Sequence, residues 1–261
     1  MYPKRIFCII ALMLIILPIS AQTFESGDFS DLTSALQTAE NQPNENHIFN
    51  INGNMDFTSA IREALNMELL GSNTKNRYEL NLNDFSLTFT GGDKSSKISD
   101  LKINATSTNG GIISQNQTLT INNSTLTGHT KQGRELVRNT NGALIVNESK
   151  FLNNNANQGA GIYFSGTNLN ADKSEFSGNT STQGGAIFVK SGACEITNSQ
   201  LNNNSSISGG GALYLSTGTT AILDNTSFDS NTVSSGSTGG AILNNGNLTV
   251  KNNSIFTNNQ V

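Results

Sequence analysis

The chain has 261 residues, enough for one large domain or two small ones, and its composition differs from that of an average globular protein. Only 13% of the residues are charged and 35% are hydrophobic, yet Ile, Val, Thr and 13 Phe recur along the chain, which argues against a disordered polar linker. The net charge of −4 makes nucleic acid and anionic membrane surfaces poor partners. The abundant Asn, Ser, Thr and Gly favour turns, so the composition predicts a β-rich fold.

Residues 1–21 have the order of a secretory signal peptide. Lys4 and Arg5 precede an apolar run over residues 6–17, and the small residue Ala21 offers a cleavage site. The apolar run is shorter than a membrane span requires. We therefore expect export with cleavage after Ala21, which leaves 13 basic against 19 acidic residues, a formal charge of −6.

Residues 22–100 lack a regular period and are expected to form an N-terminal cap with the first irregular coils. Residues 29–37 have apolar side chains at helical spacing, with Ser30 or Asp31 as the N-cap, and residues 58–65 give a second helical pattern. Strand-like runs occupy residues 47–51, 78–90 and 98–103. A cap is expected here because solenoids need their open ends covered.

From residue 101 to residue 261 the chain repeats one pattern with steps of 25 to 27 residues. Each copy has an apolar-x-apolar pair, a large apolar residue five positions after the pair, and a polar residue three positions further on. The pairs begin at Leu119, Leu144, Leu169, Cys194, Ala221 and Leu248; the large apolar residues are Leu126, Phe151, Phe176, Leu201, Phe228 and Ile255; the polar residues are His129, Asn154, Asn179, Asn204, Asn231 and Asn258. Six copies in constant order indicate a repeat architecture.

A glycine motif keeps the same step between these copies. Gly-Gly-Ala-Ile/Leu occurs in full at residues 184–187, 210–213 and 239–242, and in permuted form at residues 159–162. Upstream, residues 110–112 fit the motif, whereas residues 133–136 (Gly-Arg-Glu-Leu) have lost its small residues. Such glycines permit positive φ or a close backbone approach at a tight bend.

Strands this short cannot bury a face within one repeat, but coils stacked about 4.8 Å apart in a parallel solenoid can. The stack predicts an internal column of Phe151, Phe176, Leu201 and Phe228, a second column of Ile162, Ile187, Leu213 and Ile242, and an amide ladder of Asn154, Asn179, Asn204 and Asn231. A propeller would need blades of about 40 residues, and a sandwich has no reason for a fixed period. The predicted fold is therefore an all-β parallel β-helix, with about 25 residues per coil and a short helix-containing cap.

The alternation of the glycine motif at residues 184–187 with Phe-x-x-Asn, as at Phe176 and Asn179, resembles the polymorphic outer membrane protein repeats of autotransporter adhesins. The resemblance covers about residues 110–261. It implies a right-handed parallel β-helix passenger of the pectin lyase-like fold, displayed on the cell outer membrane or released from it. Such a passenger is joined to a C-terminal membrane barrel and binds a host protein or glycan. No stretch after residue 110 has the pattern of barrel strands. The chain would then be a passenger without its anchor, a truncated fragment, or a protein secreted by another route.

A carbohydrate-active β-helix enzyme, of lyase or hydrolase type, is the alternative. Such a site needs clustered carboxylates, often with a basic residue. Residues 142–261 contain no Arg or His, and their carboxylates are scattered: Glu148, Asp172, Glu175, Glu195, Asp224 and Asp229. Asp172 and Asp224 share a register two coils apart, about 10 Å, which is too far to share a proton or metal. We therefore expect a non-catalytic binding protein without catalytic, cofactor-binding or metal-binding residues.

A charged cluster of His129, Lys131, Arg134, Glu135 and Arg138 lies where one coil loses its glycine motif. It is either a binding site or the solvated loop of a degenerate coil, and the loop is favoured. His129 is expected to hydrogen-bond in place of a ladder asparagine.

Three remaining features concern single residues and turns. Cys194 would be the only cysteine of the mature chain, and its register with Leu169 and Ala221 predicts a buried small hydrophobe without a disulfide. His47 has no obvious partner. A ligand is expected on outward-facing positions and on the variable turn before each glycine motif, which lengthens from residues 180–183 to residues 232–238.

Overall fold

A computed structural model describes residues 22–261, except 43–44, 64, 74, 76, 93, 107–110, 131–132 and 235–236. The predicted signal peptide, and Gly110 and Lys131 of the motifs above, lie outside the described residues. Within the described part, no helix is long and apolar enough to cross a membrane.

The described residues form parallel β-structure with one α-helix, α1 (Phe29–Ala39). In chain order the strands are β1 (Gln22–Ser26), β2 (Asn46–Ile51), β3 (Met55–Asp56), β4 (Ile61–Glu63), β5 (Asn66–Gly71), β6 (Glu79–Asn81), β7 (Ser86–Thr90), β8 (Ser95–Ser99), β9 (Lys102–Asn104), β10 (Gly111–Gln115), β11 (Thr118–Asn122), β12 (Thr125–Thr127), β13 (Val137–Thr140), β14 (Leu144–Asn147), β15 (Lys150–Leu152), β16 (Asn155–Gln158), β17 (Ile162–Asp172), β18 (Glu175–Ser177), β19 (Thr180–Gln183), β20 (Ile187–Thr197), β21 (Gln200–Asn202), β22 (Ser205–Ser206), β23 (Leu213–Leu215), β24 (Thr220–Asp224), β25 (Ser227–Asp229), β26 (Thr232–Val233), β27 (Ile242–Asn244), β28 (Asn247–Lys251) and β29 (Ile255–Thr257).

These strands stack as the predicted right-handed parallel β-helix, with about nine coils of about 25 residues each. Each coil has three faces. Face 1 contains β4, β7, β10, β13, β23 and β27; face 2 contains β1, β2, β5, β8, β11, β14, β24 and β28; face 3 contains β3, β6, β9, β12, β15, β18, β21, β25 and β29. The long strands β17 and β20 bend across faces 1 and 2, and a short fourth sheet of β16, β19, β22 and β26 follows face 3.

The two predicted apolar columns are confirmed. On face 3, Phe151, Phe176, Leu201 and Phe228 pair in register and are fully buried. The Phe151 and Phe176 rings stack with centroids 4.8 Å apart. Burial of one such side chain stabilises the folded state by about 1.5–3 kcal/mol. Because the same position is apolar in each stacked coil, this contribution recurs along the column.

The second column runs along face 1 and includes the predicted Ile162, Ile187, Leu213 and Ile242. The degenerate coil joins this column through Val137 rather than through Leu136, the residue that ends its altered motif. The prediction was off by one residue because Leu136 occupies the position that a small residue of the motif has in the other coils. In the next coil this residue is Gly161. Leu136 is buried.

The predicted asparagine ladder is also confirmed, and each rung is fully satisfied. The Asn179 Oδ1 accepts hydrogen bonds from the backbone N–H and the Nδ2 of Asn154, at 3.1 and 3.0 Å. The Asn179 Nδ2 donates to the Asn204 Oδ1 and to the Phe151 carbonyl, at 3.0 and 2.9 Å. The ladder thus joins the backbone and the side chains of successive coils.

The last rung differs from the prediction by one residue. Asn231 donates to Asn259 rather than Asn258, and Phe228 pairs with Phe256 rather than Ile255. The turn before β29 contains one extra residue, so the spacing from Asn231 to its partner is 28 residues. Asn258 instead occupies the left-handed corner before the rung, with φ 55°.

Left-handed corners explain part of the asparagine content. Among the described non-glycine residues with positive φ, ten of fourteen are Asn, the residue type that tolerates this conformation best after Gly. One such corner precedes each rung of the asparagine ladder, as at Asn153 and Asn203. A second set, between faces 2 and 3, precedes a buried serine ladder that the sequence analysis missed, in which the Ser149 N–H donates to the Ser174 Oγ at 3.2 Å.

The glycine motif has the two roles expected of it. Its first glycine has positive φ, 62° at Gly184 and 63° at Gly210. Its second glycine permits a close backbone approach, since a Cβ on Gly185 would lie 2.0 Å from the Gly211 carbonyl oxygen.

The N-terminal end is covered by α1, which buries Leu32, Leu36 and two alanines against the first coils. The helix confirms the predicted helical pattern at residues 29–37, but its N-cap is Asp28 rather than Ser30 or Asp31, because the Asp28 side chain accepts the Asp31 N–H at 2.9 Å. The second helical pattern, at residues 58–65, was wrong. That segment contains β4, whose pairing with β7 outweighs local propensity.

Candidate binding surface

The charged cluster is divided between the core and the surface. His129 is buried, and Arg134 is exposed. Glu135 is also buried, and its Oε2 accepts from Arg138 Nη2 and Nε at 2.7 and 2.9 Å. Burial raises the pKa of Glu135, while its own backbone N–H and the Arg138 guanidinium act in the opposite direction. Among the described members of the cluster, Glu135 and Arg138 form an ion pair, and the backbone of Arg134 lies close to the His129 side chain.

His129 takes the place of a ladder asparagine only through its backbone. Its N–H donates to the Asn154 Oδ1 at 3.3 Å, whereas neither ring nitrogen has a hydrogen bond of normal geometry to a described residue. Burial lowers the pKa of His129, with the backbone of Arg134 as the opposing influence. The expected side-chain substitution is thus wrong.

An aromatic ladder, which we define as Arg138, Tyr163, Phe188 and Tyr214, crosses the outside of face 1. The Arg138 guanidinium carbon lies 4.0 Å from the centre of the Tyr163 ring. The Tyr163 and Phe188 rings stack at 5.6 Å, and the Phe188 and Tyr214 rings at 4.8 Å. Phe188 is only 3% exposed between two half-buried tyrosines, and the Tyr214 hydroxyl accepts a hydrogen bond from the Asn245 Nδ2 at 3.2 Å.

The aromatic ladder was missed in the sequence, although a signal for it was present. Each ladder aromatic directly follows the apolar residue that ends the glycine motif: Ile162, Ile187 and Leu213. Because successive strand residues point to opposite faces, the residue after an internal column position must point outward. Three outward aromatics at the coil period therefore predict a ladder.

The variable turns lie beside this ladder. A Cβ on Gly184 would lie 3.0 Å from the Tyr214 Cβ, and one on Gly209 would lie 3.0 Å from a methyl group of Leu243, the next residue in register after Tyr214. Ile207, in the turn before Gly209, is 48% exposed, and its carbonyl accepts from the Ser237 Oγ at 2.9 Å. The aromatic ladder and the turns at Ile207 and Ser237 thus form one surface, the face 1 surface.

The carboxylates of face 2 serve as caps for the turns. Asp172, Thr197 and Asp224 share one register, as predicted. The Asp172 Oδ1 accepts from the Thr197 hydroxyl and the Asn198 Nδ2, both at 2.7 Å. The Asn198 hydrogen bond is the main cause of the lowered pKa of Asp172. Each carboxylate thereby stabilises a left-handed corner in the following coil.

Asp229 serves the same purpose at the end of β25. Its Oδ1 accepts from the Thr257 hydroxyl and the Asn258 Nδ2, at 2.6 and 2.8 Å, and these bonds lower its pKa, the Thr257 bond most. Two glutamates form ion pairs instead: Glu175 with Lys150 at 2.6 Å and Glu148 with Lys173 at 3.8 Å. Among the described residues, no three His, Cys, Asp or Glu side chains are grouped in a way that could hold a metal ion.

Cys194 and His47 occupy the interior. Cys194 lies in register between Leu169 and Ala221, as predicted, and burial raises the pKa of its thiol to about 12. A thiol in this state is a weak nucleophile. His47 has a partner that the sequence did not reveal: its Nε2–H donates to the Gln42 carbonyl at 2.9 Å.

No protein-family model matches the sequence, and no curated protein shows significant similarity to it.

Proposed function

We propose that the chain is an exported, non-catalytic β-helix protein of the adhesin type, displayed at a cell surface or secreted, and that the face 1 surface contacts its ligand. The observation that carries the proposal is the continuity of the aromatic ladder with the variable turns. Single exposed apolar residues are ordinary, but a stripe of aromatic side chains with a polar rim is typical of interaction surfaces.

The rigidity of the scaffold supports binding. The Tyr side chains are held by stacking, and the coils beneath them by the buried asparagine ladder. Side chains that are already ordered lose little entropy when a ligand binds. Tyr and Arg are also the residue types that contribute most at protein interfaces.

The capping carboxylates Asp172 and Asp229 favour binding over carbohydrate hydrolysis. General acid–base catalysis requires two carboxyl groups about 5–10 Å apart, one of them in protonated form. Asp172 and Asp229 instead accept hydrogen bonds that favour their ionised forms. The order of residues in the predicted signal peptide supports export, and the resemblance to polymorphic outer membrane protein repeats supports a host protein or glycan as the ligand.

The binding proposal is tested by presenting the purified protein to arrays of immobilised glycans and extracellular matrix proteins. The double variant Tyr163→Ser/Tyr214→Ser should lose binding by roughly tenfold or more, the loss typical of interface hot spots. The matched control is Asn170→Ala/Glu195→Gln, which changes two exposed outward residues of face 2 in the coils of Tyr163 and Phe188. Equal loss in both variants, or no binding by the wild type, would contradict the proposal.

Export has its own test. Expression of the full chain in a bacterium should give a mature protein whose N-terminal residue is Gln22. A product that retains Met1 and stays in the cytoplasm would contradict export without affecting the assignment of the surface.

A further inference from the structure

A cavity of about 280 Å³ opens over the first residues of β2, β5 and β8, in the N-terminal coils. It lies near the lower end of the size range of small-molecule sites, roughly 300–1,000 Å³. The strands set its lining in register, with Asn46 opposite Asn66, and Ile48, Glu68 and Lys97 in one outward row. The cavity is thus built from three adjacent coils and is separate from the face 1 surface.

The charges in this cavity balance each other. The Lys97 Nζ lies 2.8 Å from the Glu68 Oε1, with the side chains 42% and 23% exposed. The pair supplies strong donors and acceptors but no net charge. An ionic ligand would pair with either Glu68 or Lys97 and leave the opposite charge unpaired, whereas a neutral polar ligand can hydrogen-bond to both side chains.

Neutral hydrogen-bonding groups surround the ion pair. The Asn66 Oδ1 accepts from the Ser95 N–H at 2.9 Å, which leaves the Asn66 Nδ2 available. Among the described residues, the Asn46 amide and the Ser95 hydroxyl have no hydrogen-bond partner. Amide and hydroxyl groups that both donate and accept match the hydroxyl groups of a sugar.

An apolar surface completes the cavity. The half-buried Ile48 side chain provides it. His47 and Met67 also border the cavity, but their side chains are buried in the same alternating rows as Phe49 and Leu69, so the ligand contacts are left to the outward residues.

We propose that this cavity binds one neutral sugar ring. The ring hydroxyls hydrogen-bond to Asn46, Asn66 and the Glu68–Lys97 pair, and the C–H groups of the ring pack on Ile48. The inference is independent of the ligand of the face 1 surface.

Saturation-transfer NMR on the purified full chain provides the test, with D-glucose, D-galactose and N-acetylglucosamine as separate probes. At least one of these sugars should receive saturation at millimolar concentration. Glu68→Gln should weaken its binding about tenfold, the effect of one charged hydrogen bond. Asn46→Trp should abolish binding, because an exposed residue is replaced by a side chain large enough to fill the cavity. Thr120→Ala should leave binding unchanged, since Thr120 continues the row of Lys97 beyond the cavity.

Three results would overturn the proposal: no saturation of any of the three sugars, unchanged binding by a folded Asn46→Trp variant, or binding of sialic acid or glycine in their place. Circular dichroism of each variant confirms the fold before binding is measured, and Ile48→Asn serves as a second change that tests the apolar contact if Asn46→Trp fails to fold.

Discussion

The coils before residue 105 and those after residue 111 use the same three faces but differ in regularity. In the N-terminal coils, Phe49 pairs with Leu69 and Leu69 with Ile98, steps of 20 and 29 residues. In the later coils, Leu119, Leu144 and Leu169 follow one another at 25 residues. The core is continuous through both regions, so burial alone does not fix the length of a coil.

The buried ladders account for the difference. Beyond residue 111, asparagine side-chain rungs close the coils at the corner after face 3, except in the coil of His129, which joins the ladder through its backbone N–H. Serine or threonine rungs lie at the corner after face 2. The earlier coils are joined by outer amide–carboxylate bonds, such as Asn50 to Glu25 and Asn81 to Asp56, both at 2.7 Å. Some insertions in the later coils fall in turns such as that at Ile207, which carry the proposed binding surface, whereas another falls in the turn before β29.

The largest expected effect follows from placing a charge in the core of the later coils. Phe176→Asp should destabilise the later coils by more than about 4 kcal/mol, since it removes a buried aromatic ring and buries an unpaired carboxylate. Thermal melting followed by circular dichroism should show loss of most β-structure. Ser177→Asp, at the neighbouring outward position, is the control and should melt near the wild type. Unchanged melting of Phe176→Asp would refute the internal column.

The ladder itself is tested by Asn179→Asp. This change preserves shape but removes two donors and places a carboxylate against the Phe151 carbonyl and the Asn204 Oδ1. We expect a loss of roughly 2–4 kcal/mol in the free energy of unfolding. Urea denaturation measures it, with Asn170→Asp on the exposed side of face 2 as the control. If the two variants were equally stable, the asparagine ladder would not explain the constant coil length of the later coils.

A smaller effect, of opposite sign, is expected in the N-terminal region. Burial, with a contribution from Glu40, raises the pKa of Glu63 from 4.5 to about 7. The ionised form is thus disfavoured in the folded state, and stability falls as the pH rises from about 4.5 to about 7. Glu63→Gln should therefore stabilise the protein above pH 7 by about 1–2 kcal/mol, discounted for partial exposure. The melting temperatures of the two proteins should converge near pH 4; a constant difference at all pH values would contradict this cause.

The smallest effect concerns the carboxylates that cap turns in the later coils. The folded state lowers the pKa of Asp172 below its ordinary value of 3.8, so this carboxylate stabilises the fold above that value and ceases to do so as the pH falls through its folded pKa. Asp172→Asn should cost less than about 1 kcal/mol at neutral pH. The difference in stability between the variant and the wild type should shrink in urea denaturation as the pH is lowered from 3.8; a difference that stayed constant would exclude loss of the carboxylate charge as the cause.

The sequence predicted the parts of the fold that repeat. The columns through Phe176 and Ile187 and the ladder through Asn179 could be assigned because period and residue type agree in every copy. The assignment failed at residues 255–259, because Ile255 and Phe256 are both apolar and residues 258 and 259 are both Asn. It failed at residues 58–65 because strand pairing there depends on residues distant in the chain. The sugar cavity could not be predicted at all, since the rows that line it come from coils of unequal length.

Hydrogen–deuterium exchange at single-residue resolution is the most direct test of the claim that buried ladders hold the later coils rigid. The backbone amides of Asn154, Asn179 and Asn204 each donate to the side-chain oxygen of the next rung. They should exchange at least about tenfold more slowly than the amides of β2 and β5, which lack such rungs. Equal exchange rates in the two regions, or faster exchange at the rungs, would contradict the account.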